Sequence, residues 1–310
     1  MTFKKSLPFF LIALFAIIIV SCTDNITGPA DDTRTPGKPD SAKATTKNDS
    51  TILIKWKKSI DEKDTAFVGY IIKMTGDDNS TKIDTVKASF NPLQVTGLKA
   101  GVIYTFDICA LFKNGKKSAS TNISWSPAYR FTKNGAGSII KLYETSSRLG
   151  SGIDAYDVAS KAPKTLSVAH AEDWTLGLDT RNGKVIIASP SKINYKYTGT
   201  PGVTEISEYV YIDNELNDTY DSQVLNNAKA NFAVRADTLT NYTNLIKKGL
   251  VIILRTKEAG ENDWHYAKVL VKKDEKNNKW LRGTSPNRYV EVEISYQTKA
   301  SVPYAKANIR

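Results

Sequence analysis

The chain has 310 residues, 41% of them hydrophobic and 10% aromatic, with 15 Tyr and 5 Trp. That much apolar material excludes a disordered chain, and the length suits two folded units. The formal charge is +11, but the basic residues are scattered and not interleaved with aromatics in one motif, which argues against a nucleic-acid partner.

The first residues read as an export signal. Lys4 and Lys5 form a cationic start, and residues 7–20 are an almost unbroken apolar run that ends in Ser21 and Cys22. The run is shorter than the roughly 20 residues a membrane-spanning helix needs, and it suits a cleaved hydrophobic region. Cleavage after residue 21 removes two lysines and no acid, so the charge stays positive, at +9. The run Ile19-Val20-Ser21-Cys22 resembles the bacterial lipobox, with Ile where Leu is commonest. The resemblance implies a signal peptide over residues 1–21, a diacylglyceryl thioether on Cys22 and residence in the cell envelope at the outer membrane. Acyl chains gain about 0.8 kcal/mol per buried CH₂, enough for several chains to hold a soluble domain at a bilayer. Residues 22–40, rich in Thr, Asp, Gly and Pro, are expected to be a flexible tether. Cys109 is the only other cysteine. With Cys22 acylated, no intramolecular disulfide can form and packing alone must stabilise the fold.

Residues 41–133 alternate in short apolar and polar steps separated by polar turns, the pattern of an antiparallel sandwich. Ile52, Ile54 and Trp56 share one face of a strand, and Tyr104, Phe106, Ile108 and Ala110 share one face of another, with Cys109 on the opposite side. Pro39, Trp56, Tyr70 and the run Leu98-Lys99-Ala100-Gly101-Val102-Ile103-Tyr104 occur in the order of the fibronectin type III pattern. The segment resembles that family over about 95 residues. The resemblance implies an immunoglobulin-like sandwich, with the Tyr104 hydroxyl pinning the corner before its strand. Asn114-Gly115 is expected as the hairpin turn before the last strand. Trp56 and Trp125 are expected to fill the core, and Cys109 to be a half-buried small residue.

Residues 134–310 are expected to form a second β-rich domain with one or two short helices, which makes the chain all-β. Candidate strands are residues 138–143, 174–178, 185–188, 208–212, 250–256, 265–272 and 288–297. Residues 237–248 carry Leu239, Tyr242, Leu245 and Ile246 near helical spacing, with Gly249 to close the end. In the last strand the alternation sets Val290, Val292, Ile294 and Tyr296 inward, and places Glu291 and Glu293 on the solvent face.

The Trp174-Thr175-Leu176 strand, Tyr266-Ala267-Lys268 and the late Tyr289–Tyr296 strand are similar to the HmuY-like lipoproteins, a β-rich haem-binding family. That resemblance implies haem capture. It transfers no axial ligand to a numbered position, because Asp179-Thr180-Arg181-Asn182-Gly183 stands where the family continues its Trp strand with Thr, Ser and Gly. The chain has two histidines, His170 and His265, and imidazole is an established haem ligand.

Catalytic motifs are missing. The chain contains no Gly-x-Ser-x-Gly elbow, phosphate loop, His-Glu-x-x-His helix or Cys-x-x-Cys pair, which excludes structural zinc. Ser151 in Gly150-Ser151-Gly152 reads as a turn, and Asp213-Asn214-Glu215-Leu216-Asn217-Asp218 as an acidic loop lacking the Gly and distal Glu of a calcium site. A glycosidase that works with two carboxylates alone leaves no spacing signature and stays open. The leading expectation is a non-enzymatic lipoprotein with no cofactor, displaying a protein- or glycan-binding domain on a fibronectin-type spacer. The alternative is a small-ligand lipoprotein that captures haem through His170 and His265.

Overall fold

The computed structural model describes residues 33–193, 200–212, 231–242, 248–257 and 260–302. Cys22 with its leader and the acidic loop at residues 213–218 lie outside these residues.

The first body is a sandwich of two antiparallel sheets. β1 (Asp40–Asn48), β2 (Thr51–Lys57) and β5 (Leu93–Val95) form one sheet in the order β1-β2-β5. β3 (Phe67–Gly76), β4 (Thr81–Val86), β6 (Tyr104–Phe112) and β7 (Thr121–Trp125) form the other, in the order β4-β3-β6-β7. The period of two is visible in β6, where Tyr104, Phe106, Ile108, Ala110 and Phe112 are buried and the residues between them are half-buried. Trp56 and Trp125 are both in the core, as their positions on alternating strands require. The corner forms as expected: the Lys99 N–H donates to the Tyr104 hydroxyl at 2.9 Å, and Gly101 takes φ +84° in the turn. Gly115 at φ +78° closes the turn after Asn114. Cys109 is a half-buried free thiol opposite Ile71 of β3. Burial raises the thiol's pKa above its ordinary value, which disfavours the thiolate.

Residues 34–40 are packed on the first body and do not run free, contrary to the expectation that the tether extends to residue 40. Arg34 pairs with Asp64 at 2.8 Å, Asn114 donates to the Arg34 carbonyl, and Gly37 is held from both sides by Asp61 and Ser59. Pro36 and Pro39 are buried. The prolines fix φ, so little chain entropy opposes this docking.

The second body is also a two-sheet sandwich. Its smaller sheet has the order β11-β10-β12-β13-β16, built from β10 (Gly152–Asp157), β11 (Ala162–Leu166), β12 (Leu176–Asp179), β13 (Ile186–Ala188) and β16 (Ala236–Thr238). The larger has the order β15-β14-β17-β18-β19-β8. Its long strands are β14 (Val203–Ile212), β17 (Gly249–Lys257), β18 (His265–Lys272) and β19 (Tyr289–Tyr296). β15 (Phe232–Ala233) and β8 (Tyr129–Phe131) close the two edges, and β9 (Ile140–Tyr143) pairs with the other half of β19. Thus β8, within the first 133 residues, hydrogen-bonds to β19 of the second body. Ile153, Leu176, Leu178 and Ile187 of the small sheet face Leu250, Ile252, Leu254, Val269, Val292 and Ile294 of the large one.

Two expectations fail here. The segment from Asp237 does not begin as a helix, because residues 236–238 pair with β13, and residues 239–242 that follow form a 3₁₀ turn. Residues 243–247 lie outside the described part. Ladder pairing at the edge of the small sheet, with Leu239 buried in the core, overrides the helical spacing. Nor are Glu291 and Glu293 on a wet face. Glu291 is 8% exposed and bound by Arg282 and Lys272, while Glu293 is bound by Arg130 and Lys272. Alternation tells which residues share a face, and this second face is also covered.

On that covered side, Ile253 joins the core cluster of the first body. The Gln297 amide donates to the Ser126 hydroxyl and the Pro127 carbonyl, and the Thr46 hydroxyl donates to the Ser126 carbonyl. The two sandwiches therefore meet along a seam with apolar contact and buried hydrogen bonds.

Candidate functional site

A cleft of about 400 Å³ opens where one end of the small sheet meets the large sheet. β10 supplies Asp154, Tyr156 and Asp157, and the 3₁₀ segment Val168–Asp173 supplies Glu172 and Asp173. The ends of β17 and β19 supply Thr256, Lys257 and Tyr296.

Its floor is Trp174, which is 1% exposed and donates its indole N–H to the Ser167 carbonyl at 3.1 Å. Two glycines make room for this ring. Gly152 and Gly177 are cross-strand partners on β10 and β12, and a Cβ on Gly152 would overlap the indole, while one on Gly177 would overlap Ile193 and crowd the indole. The chain also turns closely over the floor at Gly202, whose N–H donates to the Ala171 carbonyl at 3.1 Å.

One wall is aromatic. Tyr156 lies flat on Tyr296, with ring centroids 5.3 Å apart and planes 3° apart, and tilts against Tyr129 and Phe131. His265 stacks on Tyr296 at 5.8 Å. Such a pile of rings holds each ring in one orientation. The opposite character comes from charge: four carboxylates and one lysine line the cleft of a protein that is basic as a whole. Hydrogen bonds from the Ser160 hydroxyl and backbone N–H hold Asp157 below the ordinary carboxylate range, so it is ionised at neutral pH. Glu172 and Asp173 are exposed at the mouth.

The expected site residues are not gathered here. His170 is exposed on the 3₁₀ segment, whereas His265 is 5% exposed, and neither lines the cleft. Both ring nitrogens of His265 are engaged, Nδ1 with the Gln297 carbonyl at 3.1 Å and Nε2 with Glu261 at 3.0 Å. An iron would have to displace one of these partners. Ser151 is buried and donates to the Glu144 carbonyl, which fits a structural residue and not a nucleophile. Trp280 fills the core, and Trp264 is half-buried with the Arg255 and Lys257 cations over its ring. No group of three or more His, Cys, Asp or Glu side chains among the described residues is placed to hold a metal ion.

Sequence reasoning missed Tyr156 and Tyr296 as a pair, since 140 residues separate them. The faint signal was Gly152 and Gly177, two glycines inside strand-like runs where glycine weakens a strand unless a bulky neighbour needs the space.

Residues 37–126 match the model of the fibronectin type III domain. Similar solved structures include the FN5 domain of Drosophila Lar, with 26% identity and a TM-score of 0.24, covering 30% of this chain and 98% of that one. The fn3 domain of the human collagen alpha-1(XX) chain has 14% identity and a TM-score of 0.27, covering 33% and 93%. The third fibronectin III domain of the human KIAA0343 protein has 17% identity and a TM-score of 0.28, covering 33% and 92%. No curated protein matches the chain.

Proposed function

We propose that the chain is a non-enzymatic binding lipoprotein of the bacterial envelope, anchored at Cys22, in which the fibronectin type III body is the platform and the cleft of the second body takes a glycan. The observation that carries the reading is the cleft itself: a flat Tyr156 ring beside Asp154, Asp157, Glu172 and Asp173. An aromatic face packs against the apolar face of a sugar ring, and carboxylates accept hydrogen bonds from its hydroxyls. Among the described residues the cleft holds no Ser, Cys or His side chain, and its carboxylates are of the kind a two-acid glycosidase would use, so a sugar-release assay separates binding from turnover.

The anchor and the cleft have separate tests. Cys22→Ser should release the chain from the membrane fraction of its host; retention in the membrane would sink the anchor. Neutral and amino oligosaccharides titrated calorimetrically against the chain should bind. The exposed pair Glu172→Gln and Asp173→Asn should weaken that binding roughly tenfold with no change in folding midpoint. Unchanged affinity would remove the cleft as the glycan site, and release of reducing sugar would convert the reading to hydrolysis.

A further inference from the structure

We infer that the covered face of the seven-stranded sheet carries an oxyanion site, suited to a phosphoryl group and independent of the glycan reading. A hollow of about 570 Å³ lies against β8, β18 and the hairpin before β19. Six cationic side chains line it against three carboxylates, the opposite balance to the cleft.

Three of these cations form a ladder with two carboxylates. Arg130 Nη2 meets Glu293 at 3.0 Å, and Lys272 bridges Glu293 at 3.4 Å to Glu291 at 2.7 Å. Arg282 Nη1 closes the series on Glu291 at 2.6 Å. Each arginine grips its carboxylate through a terminal nitrogen only. The Nε of Arg130 and the Nε of Arg282 are both shielded from solvent with no hydrogen-bond partner. A guanidinium binds an oxyanion best with two parallel N–H donors; Arg130 keeps an unused Nε beside its engaged Nη2, while Arg282 gives Nη2 to the Lys273 carbonyl at 3.0 Å and has only Nε unused. A buried donor left unpaired is costly, and an incoming anion that turned each guanidinium toward the hollow would supply the missing acceptors. Lys276 stands exposed on the rim and adds charge that attracts an anion from solution.

The volume exceeds what an inorganic ion fills, which leaves two sources of the same group: a soluble phosphorylated solute or a phospholipid headgroup. Inorganic pyrophosphate titrated calorimetrically into the full chain at low salt distinguishes the first. Flotation of the Cys22→Ser chain with phosphatidylglycerol against phosphatidylcholine vesicles distinguishes the second, read as the excess on the anionic vesicles. Arg130→Lys keeps the charge facing Glu293 and removes the fork, so affinity in the responding assay should fall roughly tenfold. Lys276→Gln, on the exposed rim, should weaken binding about threefold, and Lys57→Gln on the first body should leave it unchanged. Lys276→Gln keeps the test sharp if the arginine variant proves unstable. The inference is overturned if neither probe binds, or if both variants at the hollow bind as well as the Lys57 control.

Discussion

The two sandwiches solve the problem of a unique core by different means. In the first, several large rings carry polar tips that are tied down within the same body, although the buried Trp56 indole N–H has no hydrogen-bond partner among the described residues. The Tyr70 hydroxyl donates to Glu62 at 2.6 Å and accepts from the Ser59 N–H, Tyr104 accepts from Lys99, and the Trp125 indole donates to Thr46 at 2.9 Å. In the second, most of the core is Ile, Leu and Val, which have no directional contacts, and orientation comes from shape. The slot cut by Gly152 and Gly177 for Trp174 adds shape to the indole's hydrogen bond with the Ser167 carbonyl. Pinned rings make a core specific locally, while an aliphatic core depends on fit between residues far apart in the chain.

The same substitution in the two bodies gives the largest contrast. Gly152→Ala drives a methyl group into the Trp174 ring and should cost about 3 kcal/mol or more. Gly97→Ala, at φ +73° with open space around it, should cost only about 1 kcal/mol of backbone strain. Equal losses in chemical denaturation would break the comparison.

A second probe of the far-apart contacts is Glu144, 2% exposed, whose carboxylate takes the backbone N–H and the guanidinium of Arg288. Glu144→Gln should cost about 2 kcal/mol in urea unfolding. The Arg288 hydrogen bonds hold the Glu144 pKa below its ordinary 4.5. This contribution is therefore complete above about pH 4.5 and is lost as pH falls through the depressed folded value. The wild type should lose stability in that acid window and the variant should lose less; parallel pH profiles would remove the pair as a determinant.

Tyr104→Phe tests the pinned core, deleting one hydroxyl and leaving the Lys99 N–H without its acceptor. It should lower stability by about 1 kcal/mol, measurable as a shift of the denaturation midpoint at constant slope. A neutral outcome would mean that the ring alone orders the corner.

Asp237 gives the smallest effect and the opposite sign. One of its oxygens is buried without a partner, and desolvation raises its pKa. A carboxylate raised in the folded state penalises folding when ionised, so the penalty eases as pH falls toward that value. Asp237→Asn should stabilise by up to about 1 kcal/mol at neutral pH; a loss of stability would show that the charge has a use in the fold.

Legibility followed the same division. The corner from Leu98 to Tyr104 lies within a few residues, so a sequence pattern exposes it, and both Trp56 and Trp125 fell where alternation put them. The strands β17, β18 and β19 were plain from their apolar runs. β10 and β11 escaped notice because Gly152, Asp154, Pro163 and Lys164 interrupt any simple alternation. The cleft was unreadable because its walls come from segments that only tertiary pairing brings together. The wet face expected for Glu291 and Glu293 failed for a related reason: one strand's periodicity carries no information about what covers its far side.

The docking of residues 34–40 has a mechanical consequence. The Arg34 pair with Asp64 and the clasp of Gly37 between Asp61 and Ser59 set where the preceding chain departs from the first sandwich. Tension applied through the N-terminus would meet those contacts before it reached β1. A pull on that end is thus borne first by the clasp, and the seam at Ser126, Pro127 and Gln297 couples the first sandwich to the second.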